Sequence, residues 1–422
     1  MNNKNIFLWA LYDFANSIVS IVFFLYFSQW LVIDRGVSDL WFNLIFAGSS
    51  ALLLMTAPVL GSIADKLGNN MKLLRIATLA FFGLDLIIGL ITMLLPQMVM
   101  AAAIFFLLAN YAYQLSFSFY NPLLEQIAPP SKRGWISGIG QSASWFGQIV
   151  GLLITLPFVS GGFTLFGEPG RAQVFLPATL IFLVLALPTL LGFREKPSTT
   201  GITRVSIKGE YGNYKKSFLS LMTVPGIGIF LLGYFFFNDA VLTVSNNFPI
   251  YLQKVFQISD KTKSFLLIGI LITSALGALI GGKIGDRIGL KKTMMYILGI
   301  WLITMPLLAS LSNFTYFILV TTIFGFLYGA TWTVTRAVMT YLVPKNKLTY
   351  AFSFYTLAER FSTFVGPISW GLIVYSLPHL GVLRYRLAML TMALFILIGF
   401  LISRKVPDES KIAAIHNSVK QS

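Results

Sequence analysis

Five ionisable side chains interrupt stretches of sequence that are otherwise apolar: Asp13, Asp85, Asp239, Arg336 and Glu359, the last followed by Arg360. A charged group in hydrocarbon costs about 2.5–3.5 kcal/mol or more, so each of these must face water or a partner, or carry a proton. The chemistry open to them is reversible protonation and ion pairing. A carboxyl group desolvated by burial keeps its proton until an approaching cation draws it off. An arginine paired with a glutamate can exchange that partner for another carboxylate. Covalent chemistry has no support, because the chain contains no cysteine and only two histidines, His379 and His416, too few for a metal centre. Gly281, Gly282, Gly285 and Gly289 lack the spacing of a phosphate cradle, which disfavours ATP-driven work. The expectation is a protein that is not an enzyme, with no catalytic residue, metal or other cofactor.

Uncharged polar residues extend these positions into faces. Asp13, Asn16, Ser17 and Ser20 follow at helical spacings of three and four, as do Asp239, Thr243 and Asn246. A longer stripe runs through Asn110, Gln114, Ser118, Asn121 and Glu125. Two more are Tyr328, Trp332 and Arg336, and Ser137, Gln141, Trp145 and Gln148. Such faces line a polar pathway, or they hydrogen-bond to neighbouring helices and hold packing.

The elements that carry them are membrane spans. With 56% hydrophobic and 11% charged residues over 422 positions, the chain is too apolar for a soluble domain and long enough for about twelve spans of roughly 20 residues. They fall near 6–33, 41–64, 74–95, 97–127, 135–158, 174–193, 223–248, 263–284, 293–312, 314–342, 350–376 and 385–403. The net charge of +16 does not indicate nucleic acid, because most of the 31 Lys and Arg fall in the even-numbered loops and the two tails. That distribution predicts cytoplasmic termini. The first span is too long for a removable signal and contains Asp13.

The chain also repeats itself. Gly61-Ser-Ile-Ala-Asp65-Lys66-Leu-Gly68 returns as Gly282-Lys-Ile-Gly-Asp286-Arg287-Ile-Gly289, each between two apolar stretches. Asp13 matches Asp239, Asp65 matches Asp286 and Pro129 matches Pro344 at offsets of 226, 221 and 215 residues. The predicted organisation is a six-helix bundle over 1–193, a cytoplasmic linker over 194–222, a second bundle over 223–403 and a cytoplasmic tail over 404–422. The tail is too short to fold alone.

Two six-helix halves with a Gly-x-x-x-Asp-Arg/Lys-x-Gly turn after helices 2 and 8 resemble the major facilitator superfamily over nearly the whole chain. More narrowly, Trp9-Ala-Leu-Tyr-Asp13-Phe-Ala-Asn16-Ser17 is similar to the signature of the autophagy-related vacuolar amino-acid effluxers and their uncharacterised bacterial relatives. Tyr120 to Pro129 with Arg133 to Gly140, and Thr335-Arg336 to Pro344 with Gly366-Pro367, resemble that family's helix 4–5 and helix 10–11 hairpins. Asn238-Asp239-Ala240 stands where the family usually carries Asp-Gly.

The resemblance implies an all-α membrane protein that moves a small solute by alternating access, with helices 1, 4, 7 and 10 lining the cavity. Its implied cargo is a neutral amino acid or similar metabolite, coupled to protons through Asp13, Asp239 or Glu359. Candidate substrate contacts are Asn16, Asn110, Gln114, Asn121, Gln141, Thr243, Tyr328, Trp332 and Arg336. Arg336 and Glu359 lie about 12 and 15 Å into their helices, at similar depth, and are expected to be able to pair. Asp65, Lys66, Glu125, Arg133, Asp286 and Arg287 are the expected gating charges, and Asp85 is expected to be structural. Two alternatives stay open: export of amphipathic drugs, and a receptor that kept the fold without transport. The expected setting is the lipid bilayer of a bacterial cytoplasmic (inner) membrane, as a monomer, with no nucleic-acid partner.

Overall fold

The computed structural model describes residues 3–67, 70–127, 133–195, 222–343 and 363–412, with scattered positions between them. Side chains at 57–58, 61–67, 125, 133–135 and 137 lie outside the description. All regular structure among the described residues is helical. Eleven helices are long and apolar enough to cross a membrane, and Val365–Ser376 is a shorter apolar one. In chain order they are α1 (Asn3–Asp34), α2 (Asp39–Leu67), α3 (Asn70–Leu94), α4 (Val99–Tyr120), α5 (Arg133–Val159), α6 (Phe175–Gly192), α7 (Ile227–Phe256), α8 (Asp260–Ile288), α9 (Leu290–Ser310), α10 (Phe314–Leu342), α11 (Val365–Ser376) and α12 (Leu383–Ser403).

The expected spans recur with physical differences at their ends. The fourth stops at Tyr120 and resumes as a short turn, Leu123–Ile127, because Pro122 has no N–H to continue the ladder. The seventh runs through Pro249 to Phe256, well past the expected 248, and closes on Gln257 in the left-handed conformation at φ 54°. Helix α1 is α-helical to Val22 and then winds through two π-helical turns, Phe23–Phe27 and Trp30–Asp34. Of the eleventh expected span, α11 is described from Val365, preceded by a turn at Thr363 and Phe364, while most of 350–362 lies outside the described residues.

The chain forms two compact units, Met1–Gly212 with Ser259–Ser264, and Asn213–Ile258 with Phe265–Ser422. In the first, α1 packs on α5 and α6, and α3 on α4 and α6. In the second, α7 packs on α11 and α12, and α9 on α10 and α12. The same pairings thus recur at a shift of six helices, as the sequence repeat predicts. Aromatic rings fill both cores: Phe27 stacks on Phe106 at 4.2 Å in one, and Phe248 on Phe324 at 5.5 Å in the other.

A further repeated device closes each unit. Glu195, just after α6, accepts hydrogen bonds from the N–H groups of Asn70 (3.0 Å) and Met71 (2.7 Å), and Glu409, after α12, accepts from Leu290 and Lys291. Each carboxylate occupies a helix N-terminus, of α3 and of α9, where free donors and the helix dipole favour negative charge. The stretch from Arg404, read from sequence as a tail, therefore belongs in part to the second unit, with Val406 and Ile412 buried. Alanine at Glu195 or Glu409 is expected to lower stability by about 1 kcal/mol, the usual cost of a lost N-terminal cap. A thermal melt of the purified protein checks it, with glutamine retaining most of the loss-free behaviour through its amide oxygen.

Candidate functional site

In the first unit, Trp9 lies flat on Tyr120 with ring centroids 4.9 Å apart, and the Tyr120 hydroxyl donates to the Trp9 carbonyl at 2.8 Å. Asp13, half-buried, lies against this phenol. A Cβ on Gly140 of α5 would collide with the Trp9 ring and come 2.9 Å from Asp13 Oδ2, so only glycine leaves room for this arrangement. One turn on, Asn16 is fully buried, and neither end of its amide has a hydrogen-bond partner among the described residues. Ser17 is engaged with Ser144 of α5 at 2.6 Å.

The polar stripe of α4 divides. Asn110 donates to Ser49 Oγ of α2 at 2.6 Å, and Gln114 reaches the same oxygen at 3.5 Å. These two candidates join neighbouring helices, the packing role weighed above. Asn121 and Gln141 are exposed.

The second unit holds its own cluster. Asp239 of α7 is completely buried and accepts the Gly366 N–H on Oδ2 at 2.6 Å, at the N-terminus of α11. Asp239 Oδ1 and the Thr243 hydroxyl are buried without a hydrogen-bond partner among the described residues. Both converge on Gly366, where a Cβ would collide with Thr243 Oγ1 and sit 2.7 Å from Asp239 Oδ1. Helix α10 presents a ladder of rings, Phe324 on Tyr328 at 6.2 Å and Tyr328 edge-on to Trp332 at 6.1 Å. Tyr355 stacks on Tyr234 at 4.6 Å and shares a 2.9 Å hydrogen bond with Thr335. Arg336, exposed, and Glu359, half-buried, both act electrostatically on Tyr234 and Tyr355, which puts the acid and the base in one phenol-centred neighbourhood.

Among the gating candidates, Asp286 and Arg287 are exposed at the end of α8. Asp65 and Lys66 fall in the last turns of α2, Glu125 in the Leu123–Ile127 turn and Arg133 at the start of α5; the side chains of these four lie outside the described residues. Asp85 is buried in α3, with its Oδ2 unpartnered among the described residues.

The sequence reading missed a charge network in the first unit. Arg171 pairs with Asp34 and, at 2.8 Å, with Asp260, while Lys263, completely buried, bonds Asp260 at 2.8 Å and donates to Gln29 Oε1. Tyr26 and Ser264 share a 2.9 Å hydrogen bond in the same unit. Two acids against two bases leave it neutral, the condition under which ions tolerate burial. The available signal was Asp260 and Lys263, spaced by three at the start of an apolar helix.

Repeated helical bundles, each with an acid on its first helix, define a multi-pass membrane protein. Residues 226–419 match the family model described as Major Facilitator Superfamily. An uncharacterized MFS-type transporter, YxiO, of Bacillus subtilis is 24% identical, the alignment covering 95% of this chain and 94% of that protein. Autophagy-related protein 22 of Pichia angusta is 24% identical over 34% of this chain and 28% of its own. Among solved structures, a bacterial homolog of the human lysosomal transporter Spinster superposes with a TM-score of 0.73 at 15% identity, covering 96% of each chain. The second half of the chain thus matches the Major Facilitator Superfamily model, and the whole chain shares the fold of the solved structure it superposes on.

Proposed function

We propose that the protein is a secondary active transporter that moves a small solute, a neutral amino acid or similar metabolite, by alternating access and coupled to protons. The proposed setting is a bacterial cytoplasmic membrane, with both termini cytoplasmic. The observation that carries this reading is a pair of buried groups left with unused hydrogen-bonding capacity: the Asn16 amide on α1 and Asp239 Oδ1 with the Thr243 hydroxyl on α7. A polar group buried without a partner costs on the order of 1–3 kcal/mol, a cost that a purely structural residue has no reason to carry. Such groups gain their partners from a solute or a proton, and α1 and α7 are the repeat-related helices on which the fold family places its cavity.

Asp239 is the proposed proton carrier, because its carboxyl group has one oxygen anchored by the Gly366 N–H and the other faced by the Thr243 hydroxyl alone among the described residues. Asp13 and Glu359 are the other acids in this role. Arg336, with Tyr328 and Trp332 on the same helix, is proposed to take a solute carboxylate and its side chain. No covalent step is needed.

Uptake of pooled labelled amino acids into proteoliposomes, with and without an imposed proton gradient, tests the assignment. Gradient-driven accumulation that is lost in Arg336→Ala is expected. Absence of both accumulation and exchange overturns the amino-acid cargo. Amphipathic-dye efflux that survives Arg336→Ala would assign the aromatic ladder to drugs instead.

A further inference from the structure

The loop between α5 and α6 has an unusual build. Gln173, with no exposed surface, spends its whole amide on it: Oε1 accepts the Leu165 N–H at 2.9 Å, and Nε2 donates to the carbonyls of Phe166 at 2.6 Å and Glu168 at 2.7 Å. The Phe163 N–H is taken by the Pro157 carbonyl at 3.1 Å, and Gly167, at φ 71°, passes so near α3 that a Cβ would lie 2.9 Å from the Met93 carbonyl. Loops fixed in this way ordinarily turn apolar side chains inward. This one turns them out: Phe163, Leu165 and Phe166 are 64%, 43% and 59% exposed. Its single charge between Ser160 and Gly170 is Glu168, and Arg171, which follows, is engaged with Asp34 and Asp260.

The loop starts directly where the apolar span Gly138–Val159 ends, so it sits at the level of a membrane surface. The end of α3 that it approaches is apolar and exposed as well, through Leu94 and Leu95, and the following turn adds Met98. The rings are therefore continuous with the lipid-facing surface. We propose that Phe163, Leu165 and Phe166 form a preformed lipid-docking surface that lies in the headgroup–acyl boundary of the bilayer, aimed there by Gln173. Aromatic side chains favour that zone, and a rigid loop inserts them without paying to order a flexible chain.

Because the chain contains no cysteine, single cysteines at Phe163, Phe166 and Glu168 can each carry a nitroxide label in the full-length protein, reconstituted in phosphatidylethanolamine–phosphatidylglycerol vesicles. Labels at Phe163 and Phe166 are expected to be relaxed more by oxygen than by a water-soluble nickel chelate, and the label at Glu168 more by the nickel chelate. Equal nickel access at all three sites would overturn the proposal in favour of a water-exposed loop. Exclusion of both reagents from Phe163 and Phe166 would overturn it in favour of a protein partner. Gln173→Ala in the Phe166→Cys background is expected to raise label mobility and nickel access; no change would remove Gln173 from the argued role. None of these readings depends on which solute is carried.

Discussion

On the proposed coupling, Asp239→Asn is expected to abolish proton-driven accumulation and to leave the protein folded. Asparagine keeps the shape of the side chain and an oxygen to accept the Gly366 N–H, so the N-terminus of α11 stays capped. What it loses is the exchangeable proton. A gradient of one pH unit stores about 1.4 kcal/mol per proton, enough for about tenfold accumulation of a solute moved with one proton. The variant is expected to forfeit that tenfold while still exchanging labelled for unlabelled solute. Gly366→Ala should do the opposite. Its Cβ would strike Thr243 Oγ1 and crowd Asp239 Oδ1, an overpacking that costs about 1–3 kcal/mol and lowers the melting temperature. Should Asp239→Asn prove as unstable as Gly366→Ala, Asp239 would be a structural cap, and coupling would pass to Asp13 or Glu359.

Lys263→Met is expected to destabilise the first unit by about 3–5 kcal/mol, since removing one member of a buried ion network leaves the opposite charge uncompensated. Here the remainder is Asp260 and Asp34 facing Arg171 alone, with Gln29 Oε1 losing its donor. Adding Asp260→Asn restores neutrality and should recover most of the loss. Thermal melts of the wild type, both single variants and the double variant measure the coupling directly. Additive losses would show that the four charges act separately.

The helices were legible because apolar runs of membrane length, cut by charged turns, leave little choice of architecture. Buried acids were legible for the same energetic reason. Their partners were not. Asp239 is held by a backbone N–H, and every residue except proline supplies one, so no pattern marks Gly366 as the donor. Periodicity gave α4 one polar face but could not say whether that face meets water or another helix; Asn110 and Gln114 meet Ser49. Arg171 and Lys263 disappeared into the general basic excess, where a lysine at a span end reads as a topology signal. Glu195 was absorbed into the linker, yet Glu409 stands 214 residues beyond it, continuing the series 226, 221 and 215. That match was present in the sequence and lacked only a structural reason to look for it.

The two π-helical turns of α1 change what evolution can do with the chain. A π turn holds one residue more than the α turn it replaces, so Phe23–Phe27 and Trp30–Asp34 are in effect accommodated insertions. Deleting a single residue from the first would relax it to an α turn and keep the register beyond, whereas deleting one from the α-helical stretch Ser17–Val22 would rotate everything beyond by about 100°. Gln29 would leave Lys263 and Asp34 would leave Arg171, while Asp13 and Asn16, on the other side of the deletion, would keep their places. The π turns are therefore where this helix can lose a residue with its register kept, and an alignment gap placed instead between Ser17 and Val22 would mark a homologue whose buried charges had to be rebuilt around a different register.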